Sequence, residues 1–135
     1  MSDTVDLVRK VSMFAELDDD EMTWVADLAT HFEVPAGFVL IERGQPGSGM
    51  FIITDGTVTV ELPHGPVELG PGEFVGELPL LADGITRVAR VRATTPVKGL
   101  AISRMALSEL LQREPRVAVG MLPVLARRLA EAESS

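Results

Sequence analysis

Cysteine is absent from this 135-residue chain, and histidine occurs only at His31 and His64. Without cysteine there is no disulfide framework, no thiolate nucleophile and no Cys-based metal site. Two histidines also do not supply the clustered His and carboxylate ligands that a metal centre needs. The chain has no Gly-x-Ser-x-Gly elbow and no histidine placed near a serine with a carboxylate behind it. We therefore expect neither an enzyme nor a metal protein.

Positive charge is scarce as well. Twelve Lys and Arg residues stand against 20 Asp and Glu, which gives a net charge of -8. Such a charge disfavours binding to nucleic acid and to anionic membranes. Residues 1–6 carry acids where a secretion signal carries bases, and no apolar run approaches the roughly 18 residues of a membrane span. A cytoplasmic protein with no nucleic-acid or membrane partner is expected.

The length and a hydrophobic content of 46% predict one compact domain spanning residues 1–135. Asp18, followed three residues later by Glu21, predicts the start of a first helix that ends near Thr30. Between residues 31 and 102, short runs rich in Val, Ile, Phe and Thr alternate with Gly and Pro turns. That pattern is typical of a small all-β sandwich or barrel.

Helical spacing returns after Ser103, a candidate N-cap, and predicts C-terminal helices over about 104–132. Pro123 interrupts the second of these helices, because proline has no backbone N–H and clashes with the preceding turn. A kink or break is expected over residues 119–123. Arg90 and Arg92 alternate along a strand, and we interpret them as a solvated face because no aromatic residues lie between them.

One pair of charged residues points to a ligand. Glu77 and Arg87 lie ten positions apart, and Gly76 allows the backbone to turn tightly beside the carboxylate. A guanidinium presents a planar fork of donors to a phosphate, while a carboxylate accepts hydrogen bonds from hydroxyls. Together they suggest recognition of a phosphorylated sugar.

The segment around this pair, Gly76-Glu77-Leu78-Pro79 with Arg87-Val88-Ala89, resembles the phosphate-binding cassette of the cyclic nucleotide-binding domain family. This family includes the catabolite activator protein and the regulatory subunits of cAMP-dependent protein kinase. A second signature, the glycine-framed strand pair over residues 40–56, is also similar to the family's pattern. The resemblance covers nearly the whole chain.

The resemblance implies a mainly β fold with flanking helices, in which a jelly-roll-like double-stranded β-helix encloses the nucleotide. By matching position, Glu77 is expected to bind the ribose hydroxyl and Arg87 the exocyclic phosphate oxygens. Val67 is a weaker candidate for the base side, and Phe74 is expected on the pocket floor. The full set of expected ligand-binding residues is Phe74, Gly76, Glu77, Leu78, Arg87 and Val88.

Two positions depart from the family pattern. Pro79 replaces a small residue that gives a backbone N–H to the phosphate, and Val88 replaces a small or hydroxyl residue after the arginine. Each loss is worth ~1 to 3 kcal/mol if a buried ligand oxygen is left unpaired. In addition, little capping helix and no DNA-reading module follow Arg128-Leu129 in this sequence.

The expected function is a stand-alone cyclic nucleotide sensor or regulatory module without a cofactor. Its expected ligand is cAMP, with cGMP as the alternative, and its C-terminal helices are expected to contact a protein effector or a homodimer partner. Two other interpretations stay open. The first is a degenerate fold that has lost the ligand and serves as a protein-interaction module, and the second is the sensor part of a transcription regulator.

Overall fold

The structure is a computed structural model that describes residues 3–44, 49–63, 65–76 and 89–133. Before the first strand lie α1 (Asp3–Arg9), a 3-10 helix (Ser12–Phe14) and α2 (Asp19–Leu28). The strands are β1 (Thr30–Val34), β2 (Val39–Ile41), β3 (Gly49–Asp55), β4 (Val58–Leu62), β5 (Gly65–Leu69), β6 (Phe74–Val75), β7 (Arg90–Ala93) and β8 (Val97–Ser103). Two helices follow, α3 (Arg104–Arg113) and α4 (Arg116–Glu133). None of the helices described is long and apolar enough to span a bilayer.

The strands form two four-stranded antiparallel sheets, and the chain passes from one sheet to the other several times. Sheet 1 has the order β1-β8-β3-β6 and sheet 2 the order β2-β7-β4-β5. The long β3–β8 pairing runs from Gly49 opposite Ser103 to Asp55 opposite Lys98, with one register shift near its end. This arrangement confirms the mainly β, jelly-roll-like fold with flanking helices. The strands begin and end within a residue of the predicted 31–102 core.

Two hydrophobic clusters lie on opposite faces of sheet 1. On β3, Met50 and Ile52 belong to the cluster packed against the helices, whereas Ile53 belongs to the cluster between the sheets. The alternation follows from the two-residue period of a strand, which sends successive side chains to opposite faces. We call these the helix-side cluster and the inter-sheet cluster.

The caps predicted at the helix starts are confirmed. Asp18 accepts a hydrogen bond from the Glu21 backbone N–H, and the Glu21 carboxylate accepts one from the Asp18 N–H, both at 2.8 Å. This is a capping box, which satisfies two of the donors left open at a helix start. At α3, the Ser103 hydroxyl accepts from the Ala106 N–H at 3.1 Å.

α4 continues through Pro123, so a break over residues 119–123 is wrong, while the alternative, a kink there, stays a prediction. Proline removes the donor to the carbonyl of Val119. Val119 is 61% exposed, so water can reach the turn that loses this bond. The packing of the following turns against the core then keeps the helix continuous.

The first half of α4 is fixed against the N-terminal helices. A Cβ built at Gly120 would lie 2.6 Å from the carbonyl oxygen of Met13, so only glycine allows this close approach. Arg116 pairs with the Glu114 carboxylate at 2.7 Å, donates to the Glu16 carbonyl at 2.9 Å and also pairs with Glu21. Hydrogen bonds to Glu114 and Glu21 raise the pKa of Arg116. The Arg116 guanidinium, in turn, lowers the pKa of Glu114.

Candidate functional site

The predicted cassette, residues 76–89, lies in the chain between a strand of sheet 1 and a strand of sheet 2. It begins after β6, the edge strand of sheet 1, and ends before β7, a central strand of sheet 2. Gly76, its first residue, has φ of 85°, a left-handed conformation that glycine adopts without strain. Ala89, its last residue, is buried. The two ends of the segment therefore adjoin strands of different sheets.

The structure describes only two of the expected ligand-binding residues, Phe74 and Gly76. The others, Glu77, Leu78, Arg87 and Val88, lie in residues 77–88, outside the described part of the chain, as does Pro79. Their roles in binding stay predictions.

Phe74 and Val75 face opposite sides of sheet 1. Phe74 is 1% exposed and belongs to the helix-side cluster, whereas Val75 is 4% exposed and belongs to the inter-sheet cluster. The ring expected on the pocket floor therefore packs under the helices. Val75, which sequence reasoning did not select, is the β6 residue facing the space between the sheets. The period-2 rule, applied from Phe74, would have pointed to it.

The buried members of the inter-sheet cluster are aliphatic, and the rings of Phe32 and Phe51 pack partly buried against them. Ile41, Val58, Val75 and Val91 are buried there, and Val60 and Leu69 pack partly buried against them. Val67, opposite Val60 on the edge strand β5, is 39% exposed. No buried side-chain nitrogen or oxygen in the described residues lacks a hydrogen-bond partner.

Arg90 and Arg92 lie on the outer face of sheet 2. Arg90 pairs with Glu42 at 2.9 Å and Arg92 with Glu61 at 3.3 Å, and all four side chains are about 40% exposed. The hydrogen bond from Arg90 lowers the pKa of the Glu42 carboxyl, and the same bond raises the pKa of Arg90. The interpretation of these arginines as a solvated strand face is confirmed.

The last helix contacts the strand that leads into the cassette. Arg128 on α4 donates from Nη2 to the Phe74 carbonyl at 2.6 Å, and its guanidinium carbon lies 4.7 Å from the centre of the Phe74 ring. The Glu73 carboxylate oxygen Oε2 lies 3.5 Å from the same nitrogen. No local sequence pattern predicts this contact, because residues 54 positions apart meet only through the tertiary fold.

A separate shallow groove of about 350 Å³ lies beside α1 and contains none of the expected ligand residues. Its lining includes His31, Glu33, Asp55 and Lys98. The His31 ring nitrogen Nε2 is 2.6 Å from the Thr4 hydroxyl, which ties β1 to α1. Within the described ranges, no three His, Asp or Glu side chains are grouped closely enough to hold a metal ion. His64 lies outside the described residues.

The family model of the cyclic nucleotide-binding domain matches residues 31–114, more than half of the chain. The chain belongs to the cyclic nucleotide-binding domain family. A cyclic nucleotide-gated potassium channel of Mesorhizobium japonicum is 37% identical over 112 residues, which are 83% of this chain and 31% of the channel. The chain thus spans less than a third of that relative's length.

Solved structures of this family share the fold. The catabolite activator protein of Thermus thermophilus matches with a TM-score of 0.78 and 30% identity, covering 90% of this chain and 60% of that one. A cAMP-bound PfPKA-R fragment matches with a TM-score of 0.83 and 23% identity, covering 96% of this chain and 45% of the fragment. At that identity the second match supports the fold alone.

Proposed function

We propose that this cyclic nucleotide-binding domain is a sensor that binds cAMP between its sheets, with cGMP as the alternative ligand. The observation that carries the proposal is the family match over residues 31–114, together with Glu77 and Arg87 at the cassette positions. Glu77 would accept hydrogen bonds from the ribose hydroxyl, and Arg87 would donate to the phosphate. No cofactor is required for this binding.

The position of the cassette supports the proposal. Gly76 and Ala89 place its two ends on different sheets, and the space between the sheets is lined by aliphatic side chains such as Val75 and Val91. An apolar cavity with a few polar groups at its mouth is the usual form of a small-molecule site. The Glu77 and Arg87 anchors would supply those polar groups.

The outer face of α4 is the surface we assign to the protein partner. Val119, Leu122 and Leu129 are each 61% exposed. The exposed Ala126 lies between Leu122 and Leu129, so the four residues follow one another at intervals of three, four and three positions. These intervals are the spacing of a coiled-coil seam. A seam on one helix pairs with itself across a two-fold axis, so we propose a second copy of this chain as the occupant. We call these four residues the outer stripe.

Sedimentation equilibrium tests the partner directly. Leu122→Glu places a charge in the seam and should convert a dimer to monomer, whereas Gln112→Glu on the exposed face of α3 should leave the dimer intact. If the wild-type chain is monomeric at high micromolar concentration, the homodimer proposal is wrong. A helix of a protein effector is then the favoured partner for the outer stripe.

Isothermal titration calorimetry tests the ligand. Wild-type protein should show a heat of binding when it is titrated with cAMP at micromolar concentration. The affinity for cGMP, measured in the same way, gives the preference between the two bases. Arg87→Ala should weaken binding at least ~100-fold, because it removes two charged hydrogen bonds of about 1.5 to 3 kcal/mol each. Arg92→Ala is the matched control, since Arg92 pairs with Glu61 on the outer face and should leave affinity unchanged.

A degenerate domain without a ligand is the second candidate, and Pro79 and Val88 favour it. Proline has no N–H for the phosphate, and valine offers no hydroxyl. If wild-type protein gives no heat with either nucleotide at high micromolar concentration, this candidate replaces the sensor. Recovery of binding in Pro79→Ala with Val88→Ser would then show which contacts were lost.

We infer a regulatory role rather than catalysis for this chain, because its family is a ligand-binding module and its sequence contains no nucleophile set. The match to the catabolite activator protein keeps the role of a regulator's sensor part among the proposals. The cytoplasmic location stays a prediction from charge and sequence.

A further inference from the structure

α4 carries two different faces along its length. Val117 and Met121 are buried against the helix-side cluster, and Val124 packs partly buried beside them. Arg128 follows at the next helical interval and so continues this inner row. It lies nine positions after Val119, which is two and a half turns at 3.6 residues per turn. Arg128 is therefore opposite the outer stripe on the same helix.

β6 is a weakly restrained strand that leads directly into the cassette. It has two residues, and within the described ranges its strand partner is β3 alone, with Phe51 opposite Val75 and Ile52 opposite Phe74. The Glu73 carbonyl accepts a hydrogen bond from the Ile53 N–H at 2.9 Å. Because successive carbonyls of a strand point to opposite edges, the Phe74 carbonyl points away from β3.

Arg128 binds this outward carbonyl. Its guanidinium makes three contacts with the same segment. It donates a 2.6 Å hydrogen bond to the Phe74 carbonyl, stacks on the Phe74 ring at 4.7 Å and lies near the Glu73 carboxylate. The Arg128 side chain is only 28% exposed, so these contacts are partly shielded from water. A planar guanidinium can make them at once, whereas a lysine ammonium cannot.

We propose that Arg128 is a positioning residue that couples α4 to the phosphate-binding cassette by fastening β6 to the helix. This inference rests on the proposed function for its effect on ligand affinity, but the fastening itself is a property of the free protein. With Arg128 in place, residues 73–76 are held in one conformation before the ligand arrives. Without it, binding must also order the start of the cassette, and affinity falls.

The coupling would also work in reverse. A partner on the outer stripe that shifts the second half of α4 also moves Arg128, because both lie on one continuous helix. Linkage then requires that nucleotide binding change the affinity for that partner by the same factor. Arg128 thus offers a direct route from the outer surface of the helix to the cassette.

Hydrogen exchange on the free 135-residue chain tests the fastening without any ligand. Arg128→Ala should speed exchange both in residues 70–76 and in residues 124–133, with the rest of sheet 1 unchanged. Arg127→Ala is the matched control, because Arg127 is the exposed neighbour on the same helix and should alter neither segment. Equal exchange of residues 70–76 in wild type and Arg128→Ala would overturn the proposal, as would equal loosening in both variants.

Calorimetry with cAMP then tests the effect on the site. Arg128→Ala should bind about tenfold more weakly, which corresponds to ~1.4 kcal/mol. Arg128→Lys should fall between Arg128→Ala and wild type, and Arg127→Ala should stay within about twofold of wild type. If wild type binds no nucleotide, the proposed function fails while the exchange result still decides whether Arg128 fastens β6. Unchanged affinity in Arg128→Ala would overturn the coupling to the site.

Discussion

The two hydrophobic clusters share sheet 1 but are made of different side chains. The helix-side cluster combines Val and Ile with large or flexible residues such as Phe14, Met13 and Met121, and all buried Phe, Met and Leu side chains of the described residues belong to it. The inter-sheet cluster consists of Ile, Val and Ala at its buried positions, among them Ile53 and Ala93. Long side chains fill the irregular gaps between helices and a sheet, whereas β-branched side chains pack on a pleated surface.

This difference separates stability from ligand capture. The helix-side cluster joins every described helix to sheet 1, so its side chains determine whether α4 stays docked. The inter-sheet cluster lies where the resemblance places the nucleotide, and its small side chains shape that space. The same substitution made in each cluster should therefore cost a similar free energy of unfolding. Its effect on nucleotide binding, however, should differ between the two clusters.

The largest expected effect is a loss of stability from Phe14→Ala in the helix-side cluster. Phe14 is 0% exposed, and truncating a buried phenylalanine typically costs ~3 to 5 kcal/mol. Urea unfolding followed by circular dichroism gives the change. Phe38→Ala is the control, because Phe38 is 48% exposed and should cost about 1 kcal/mol or less. Similar losses in the two variants would contradict the assignment of Phe14 to the core.

Gly120→Ala should also destabilise the helix-side cluster. Its Cβ would meet the Met13 carbonyl oxygen at 2.6 Å, and overpacking of this kind costs about 1 to 3 kcal/mol. The better helix propensity of alanine offsets ~1 kcal/mol of that loss. Thermal unfolding would measure the net change, and a variant more stable than wild type would show that α4 can move away from Met13. The difference in stability between Arg127→Gly and Arg127→Ala, at an exposed position of α4 outside the outer stripe, measures the propensity contribution alone.

A matched pair of smaller changes separates the two clusters most sharply. Ile102→Val and Ile53→Val each remove one methylene from a fully buried side chain, one on each face of sheet 1. Each should cost about 0.5 to 1.5 kcal/mol of unfolding free energy. In calorimetry with cAMP, only Ile53→Val should change the affinity. An equal change in both variants would mean that the nucleotide is not bound on the inter-sheet side.

Sequence reasoning predicted the fold better than the site. The strand pattern, the Asp18 capping box and the Ser103 cap depend on local spacing, so one sequence is enough to find them. The continuity of α4 through Pro123 depends on tertiary packing, which local propensity does not contain. The contact of Arg128 with Phe74 joins residues far apart in the chain, and Val75 was overlooked although the alternation from Phe74 predicts its direction.

The smallest expected effect is on stability in acid. It is a difference between two ion pairs, Arg116–Glu114 beside the helix-side cluster and Arg90–Glu42 on the outer face of sheet 2. The pKa values of Glu114 and Glu42 are both lowered by arginine partners, so each carboxylate stabilises the fold above its unfolded pKa. That stabilisation is lost as the pH falls below about 4.5 toward the lower folded pKa. Glu114 shares Arg116 with Glu21 and the Glu16 carbonyl, whereas Glu42 pairs with Arg90 on a half-exposed face.

Removing Glu114 should therefore change acid stability more than removing Glu42. In melting curves between pH 7 and about pH 3, Glu114→Gln should reduce the fall in Tm on acidification more than Glu42→Gln does. Added salt should diminish the effect of Glu42→Gln further, because exposed pairs are screened. A Glu114→Gln curve that runs parallel to wild type over the whole range would mean that Arg116 does not depend on Glu114 to hold α4 against α2.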